Sequence, residues 1–315
     1  MRFESRLGVP PATYVDSPEE IEVALRRCFA SSFVAIDTET LGIEYGIFGD
    51  EIVNMGLCPD PGCRFFVPRK HLHRFKCLIE DVDIIKIFAN CVFDMHRFAT
   101  AGIDVKGPIA DINHMDWLHD EDLREKKHGL KYTSFDYLGI TMDNWSDIVK
   151  GFRPTDIVPG HERWSRMLDY GTLDVWATLG VYDFLKEKLS SAFTDGAKTR
   201  SLMDLYWETE PAQFRCIFEM ERNGIRIDTE FLSALGGRLD SEINELAADA
   251  CRLAGRAINL DSTPQVAEYL FKDLGLEPFK KTPGGKNAVD AEVLESFAAD
   301  GVVFCQKLLE LRKRR

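Results

Sequence analysis

Three short stretches in the first part of the sequence place acidic residues where they could share one piece of chemistry. The first is Val34-Ala35-Ile36-Asp37-Thr38-Glu39-Thr40. In a strand, residues i and i+2 point to one face, so Asp37 and Glu39 project together. Two carboxylates side by side repel one another unless a cation sits between them. Hard oxygen ligands of this kind suit Mg2+ or Mn2+. The second stretch is Asn90-Cys91-Val92-Phe93-Asp94, which sets Asp94 near the start of a helix. The third is Tyr170 and Asp174, spaced i and i+4 so that they share a helical face. Taken singly, each has a plain structural reading: a polar strand end, a first-turn acid, a core tyrosine beside a solvated acid. Taken together they favour metal-assisted hydrolysis over general acid–base chemistry, because no histidine accompanies the carboxylates.

The elements that must position these residues are legible around them. Ser17-Pro18-Glu19-Glu20 is a helix start, with Ser17 as cap, Pro18 in the first turn and Glu20 closing a capping box. Phe33-Val34-Ala35-Ile36 reads as a buried strand. Residues 52–57 and 64–68 flank a Pro/Gly turn and read as a hairpin, Ile84 to Phe88 as a strand, and Phe93 to Gly102 as the helix after it. Glu162 to Leu189 carries helical periodicity interrupted by Gly171 and Gly180. This half is expected to be an α/β domain with a mixed sheet. Farther on, Phe231, Leu235, Leu239, Ile243, Leu246, Ala250 and Leu253 recur at helical steps and predict one long amphipathic helix. A short helix is expected over Gln265 to Leu274, and a second long run over Ala291 to Arg315, packing back on the first. Between them lies the basic loop Phe279-Lys280-Lys281-Thr282-Pro283-Gly284-Gly285-Lys286.

In this order, Asp-x-Glu, Asn-x-x-x-Asp and Tyr-x-x-x-Asp, the sequence resembles the 3′–5′ proofreading exonuclease domain of family A DNA polymerases, in the DEDD group, Tyr subtype. Asp37-Thr38-Glu39-Thr40 matches the first motif, Asn90, Phe93 and Asp94 the second, and Tyr170 with Asp174 the third. Val92 stands where many members carry Lys. Asp111-Ile112, Gly129-Leu130-Lys131 and Tyr137-Leu138-Gly139 are similar to the linking helices. The resemblance continues through Glu208 to Pro211, Met220 to Asp228, Asn259-Leu260, Ser262 to Gln265 and Leu270-Phe271, which look like the start of a polymerase module and its thumb. It implies a ribonuclease H-like mixed sheet flanked by helices over residues 1–201, then a mainly α-helical, thumb-like part over 202–315. It also implies two Mg2+ per site, replaceable by Mn2+, with Asp37, Glu39 and Asp174 holding one and Asp37 with Asp94 the other. Tyr170 would orient the attacking water. Thr38, Leu41 and Asn90 would meet the 3′-terminal nucleotides, and Lys280, Lys281 and Lys286 the duplex phosphates. The implied substrate is a single-stranded or frayed DNA 3′ end, from which nucleoside monophosphates are released.

No Asp-Tyr-Ser-type polymerase motif follows, so no polymerase active site is expected in this chain. It reads as a fragment or a split subunit whose partner chain carries palm and fingers. The residues leave open a non-catalytic DNA-binding or docking subunit, and an exoribonuclease of the same group.

Composition bounds these readings. The chain has 315 residues, 39 basic and 52 acidic, for a net charge of −13. That argues against coating nucleic acid through bulk positive charge. Apolar residues at 45% indicate a folded chain of about two domains. No apolar run approaches a membrane span, and Met1-Arg2-Phe3-Glu4-Ser5-Arg6 leads into no secretory core, so a cytoplasmic protein is expected. Of the eight cysteines, Cys28, Cys91, Cys216, Cys251 and Cys305 stand singly among apolar residues and are expected as buried thiols; Cys58, Cys63, His71, His73 and Cys77 do not have a common zinc-ligand spacing.

Overall fold

The structure is a computed structural model that describes residues 8–41, 51–120, 128–195 and 198–314. The N-terminal run Met1 to Arg6 and the terminal Arg315 discussed above lie outside them. Two compact units are present, Met1–Gly224 and Ile225–Arg315.

The first unit is built on a six-stranded mixed sheet. Its strands are β1 (Ala12–Tyr14), β2 (Phe33–Thr40), β3 (Ile52–Asp60), β4 (Cys63–Pro68), β5 (Ile85–Phe88) and β6 (Ile109–Asp111), in the order β1-β4-β3-β2-β5-β6. β2, β3 and β4 run antiparallel, whereas β1 joins β4, β5 joins β2 and β6 joins β5 in parallel. The expected helix start is realised in α1 (Pro18–Phe29), where Ser17 and Glu20 form both arms of the capping box. The Pro/Gly turn joins β3 to β4, with the Gly62 N–H donating to Asp60 Oδ1 at 2.9 Å. The Cys58 thiol donates to backbone carbonyls of this same turn.

The remaining helices of this unit are α2 (Lys76–Ile79), α3 (Cys91–Thr100), α4 (Ile112–His119), α5 (Leu130–Leu138), α6 (Trp145–Val149), α7 (Trp164–Leu189) and α8 (Leu202–Asn223). A small hairpin of β7 (Ala192–Asp195) and β8 (Lys198–Ser201) links α7 to α8. α7 crosses the face of β2, β3 and β4, and α4 and α5 lie against it. The helix continues unbroken through Gly171 and Gly180, which the sequence pattern marks as interruptions.

α8 departs from the expected boundary at residue 201. Its buried Met203, Tyr206, Phe214 and Phe218 belong to the core of the first unit, so the compact unit ends at Gly224. Each such side chain contributes roughly 1.5–3 kcal/mol on burial. Polar pairs fix the helix as well: His96 Nε2 meets Glu221 Oε2 at 2.6 Å, and His114 Nδ1 meets Glu210 Oε2 at 2.8 Å.

The second unit is helical: α9 (Thr229–Leu253), α10 (Thr263–Glu268) with a π turn over Tyr269–Asp273, α11 (Ala291–Ala299) and α12 (Val303–Arg314). α9 is the long amphipathic helix expected from its periodicity, and α12 packs along it. The run expected over Ala291 to Arg315 is two helices, because Gly301 takes a left-handed φ of 90° and ends the first. Part of the basic loop is a tight turn: the Thr282 N–H donates to Lys286 O at 2.7 Å and the Gly285 N–H to Thr282 O at 2.8 Å. Among the described residues, no helix is long and apolar enough to cross a membrane.

Candidate active site

β2 ends in the acidic pair, and its period sets both side chains on the face that α7 covers. The helix lies close because neither backbone carries a side chain at the crossing. A Cβ on Gly56 would stand 2.2 Å from the Gly171 carbonyl oxygen, and one on Gly171 would stand 2.7 Å from the Phe66 ring. This approach brings Asp174 to the strand end. Asp37, Glu39 and Asp174 each present a carboxylate oxygen, all within 4.8 Å of one another.

Asp94 reaches the same strand from α3. The Thr38 N–H and hydroxyl both donate to Asp94 Oδ1, at 3.0 and 2.6 Å. Asn90, just before α3, is the one non-glycine residue with positive φ among the described residues, at 79°; asparagine takes this conformation more readily than most side chains. The Cys91 N–H at the start of α3 is satisfied by Asp111 Oδ2 at 2.6 Å, and the Asp111 N–H in turn donates to the Tyr206 hydroxyl of α8 at 2.6 Å. α8 thus supports the helix that carries Asp94.

Burial dominates the electrostatics. Glu39, Asp94 and Asp174 are all under a tenth exposed. Desolvation, with Asp37, Asp174 and Asp94 nearby, holds the Glu39 carboxyl well above the usual range. Burial and then Asp37 push Asp94 up, against the two Thr38 hydrogen bonds. Asp174 is pushed up by burial and Asp37, with Lys131 and the Tyr170 hydroxyl opposing. Burial raises Asp37 to about 6. Tyr170 is raised too, by burial and then by Asp174, which keeps its hydroxyl protonated.

Glu39 Oε1 and Asp174 Oδ1 are buried and, among the described residues, accept no hydrogen bond. Buried carboxylate oxygens in that condition are costly unless something positive meets them. A hard divalent cation fits this donor set of clustered carboxylates.

The other anticipated residues are placed as follows. Leu41 stands exposed just beyond β2. Lys280, Lys281 and Lys286 belong to the second unit. Lys280 is engaged by Asp290 at 2.8 Å and by Glu292, so its charge is already matched. Lys281 and Lys286 are exposed and form no ion pair among the described residues.

Sequence reasoning missed several supports. Arg64 of β4 is buried, and its guanidinium donates to Pro10 O (2.7 Å), Thr172 Oγ1 (3.0 Å), Asp169 O (3.3 Å) and Asp169 Oδ1 (2.9 Å). An arginine inside the apolar run Cys63-Arg64-Phe65-Phe66-Val67 was the available signal. Trp145 packs against Tyr170 with ring centres 5.5 Å apart, and Lys131 Nζ lies 5.7 Å from the Tyr170 ring centre.

Comparison with known proteins bears on the family of this domain. The family described as 3′-5′ exonuclease of DNA polymerase A matches residues 12–190. The chain belongs to that exonuclease family. Residues 229–315 further match DNA polymerase family A. The chain is 27% identical over 245 residues to DNA polymerase I of Rhizobium leguminosarum, covering 78% of the chain and 23% of that protein. Against DNA polymerase I of Chloroflexus aurantiacus it is 25% identical, covering 92% of the chain and 31% of the relative. It therefore spans less than a third of the length of either.

In fold, the chain is similar to the POL domain of Pol1 from M. smegmatis, solved with DNA primer-template and dNTP (TM-score 0.69, 20% identity, 96% of this chain and 48% of that one). It is also similar to Trypanosoma brucei RNase D, solved with RNA U12 (TM-score 0.53, 18% identity, 71% and 77% covered). A domain of this exonuclease family is a nuclease, a phosphodiester hydrolase that uses divalent metal, and the carboxylate cluster lies within the matched region.

Proposed function

We propose that this exonuclease domain removes nucleoside monophosphates from DNA 3′ ends by two-metal hydrolysis, as the proofreading part of a family A DNA polymerase. The observation that carries the reading is the convergence of Asp37, Glu39 and Asp174 within 4.8 Å, with buried oxygens of Glu39 and Asp174 left without hydrogen bonds. Asp37, Glu39 and Asp174 would hold one Mg2+, and Asp37 with Asp94 a second, Mn2+ substituting for either. Such a pair supplies charge stabilisation for the attacking and leaving oxygens of an in-line displacement.

The chain's own groups do the rest. Thr38 fixes Asp94, so the second carboxylate is presented in one orientation. The protonated Tyr170 hydroxyl, one turn before Asp174, orients the attacking water. Leu41, exposed past the strand end, wedges against the terminal base, while Asn90 meets the terminal nucleotide; Thr38, whose N–H and hydroxyl both serve Asp94, acts there through that carboxylate. Lys281 and Lys286 of the thumb-like unit contact duplex phosphates; Lys280 serves its own loop instead. The exonuclease part extends to Gly224.

The test is digestion of a labelled single-stranded DNA oligonucleotide and its RNA counterpart in Mg2+. The protein should shorten DNA from its 3′ end, faster than RNA, and faster at a mismatched than at a matched duplex terminus. Asp37→Ala with Glu39→Ala should abolish digestion while the circular-dichroism spectrum stays the same. Full activity in that double variant would sink the assignment. Preferential degradation of RNA would reassign the substrate.

A further inference from the structure

Lys131 opens a question that the carboxylate cluster alone does not answer. It sits half-buried in the first turn of α5, with Nζ 5.7 Å from the Tyr170 ring centre, and Tyr170 is one turn from Asp174 on α7. The ammonium therefore stands beside the site. It nevertheless forms no ion pair with Asp37, Glu39, Asp94 or Asp174 among the described residues. What holds it is Asn144, whose Oδ1 accepts a hydrogen bond from Lys131 Nζ at 3.0 Å. Asn144 is itself anchored: its carbonyl accepts the Asp147 and Ile148 N–H groups at the start of α6, and its Nδ2 donates to Asp147 Oδ2 at 3.4 Å.

By elementary electrostatics both arrangements of a cation oppose a divalent ion, to different degrees. A cation near, but off, a carboxylate cluster lowers the net negative charge and so weakens the pull on a divalent ion. The same cation in direct contact with those oxygens would occupy the place the divalent ion needs. Here the tether selects the first arrangement. Consistent with nearness, Lys131 is the cation whose charge opposes the upward push on both Glu39 and Asp174.

We propose that Lys131 and Asn144 together set the divalent-cation affinity of the carboxylate cluster, Lys131 as a standing counter-charge and Asn144 as the tether that keeps its ammonium off the ligand oxygens. The proposal rests on the metal reading given above. Both are positioning residues, acting on the reaction through the carboxylates.

The test is Mg2+ binding to the full chain without nucleic acid, by titration calorimetry and by the Mg2+-induced rise in melting temperature. Lys131→Met should lower the apparent Kd for Mg2+ by about tenfold, and Lys131→Arg should stay near the parent value. Asn144→Ala should raise the Kd, because the released ammonium pairs with Asp174 or Glu39. Loss of structure would weaken binding in both variants, so shifts of opposite sign separate this device from damage. Metal-free melting curves check that each variant is folded. Unchanged or weaker Mg2+ binding in Lys131→Met overturns the counter-charge, and unchanged or tighter binding in Asn144→Ala overturns the tether. A parent protein with no saturable Mg2+ binding would instead overturn the metal reading itself.

Discussion

The acids around the end of one strand tie folding to pH. In divalent-free buffer, the raised Asp37 carboxyl means that the folded state holds this proton more tightly than the unfolded chain does. That preference favours folding below the ordinary carboxylate range near 3.8 and is lost as pH rises through about 6. Glu39, Asp94 and Asp174 are shifted in the same direction. In EDTA, the melting temperature should therefore fall across this window relative to an Asp37→Asn, Glu39→Gln variant, and the rise given by Mg2+ should grow. A difference that stays constant with pH would contradict the electrostatic account. Tyr170→Phe keeps the ring against Trp145 and removes only the hydroxyl. Turnover should drop by roughly a hundredfold with little change in KM; an unaltered rate would remove Tyr170 from the site.

At the scale of elements, the site depends on how closely α7 lies on the sheet. Gly171→Ala places a methyl against the Phe66 ring, with Glu39 Oε1 3.4 Å away. We expect destabilisation of about 1–3 kcal/mol in urea titrations, and reduced nuclease activity as Asp174 is displaced. Gly236→Ala, in α9 with open space around it, should be neutral or stabilising by up to about 1 kcal/mol. If both substitutions behave alike, close approach is not what Gly171 provides.

The same contrast shows what could be read in advance. An apolar run marked β2, a Pro/Gly turn between two apolar runs marked the β3–β4 hairpin, and period-3.6 patterns marked α7 and α9. The i+2 and i+4 spacings set Asp37 with Glu39, and Tyr170 with Asp174, each on one face. Local rules do not see across the fold. Gly171 looks like a helix interruption until the strand it must clear is present. Asp94 looks like a first-turn acid until Thr38 is found 56 positions earlier in the chain, holding it. Lys131 belongs to a stretch that carries the resemblance, but its role gave no sign in sequence because its partners, Asn144 and Tyr170, lie at the start of α6 and on α7. Tertiary hydrogen bonds, not propensities, decide these roles.

For the whole molecule, the division at Gly224 has a direct consequence for cutting the chain. A fragment ending at Gly224 should fold with a melting curve close to that of the first unit in the full chain. A fragment ending at Ser201 loses Met203, Tyr206, Phe214 and Phe218 from the core, and with them the Tyr206 bond that supports α3. Removing that packing should cost several kcal/mol by area alone, at roughly 1.5–3 kcal/mol per large side chain. The shorter fragment should be proteolysed rapidly and lose nuclease activity. Equal resistance to proteolysis in the two fragments would show that α8 is dispensable.

Arg64 joins distant parts of this unit in a mechanical sense. Its single planar guanidinium ties Pro10, at the entry to β1, to Asp169 and Thr172, which bracket Tyr170 on α7. The entering chain and the helix that carries Tyr170 and Asp174 are thus tied through one planar group as well as through apolar packing. Pro10 and the turn of α7 around Tyr170 are in that sense the two ends of one lever.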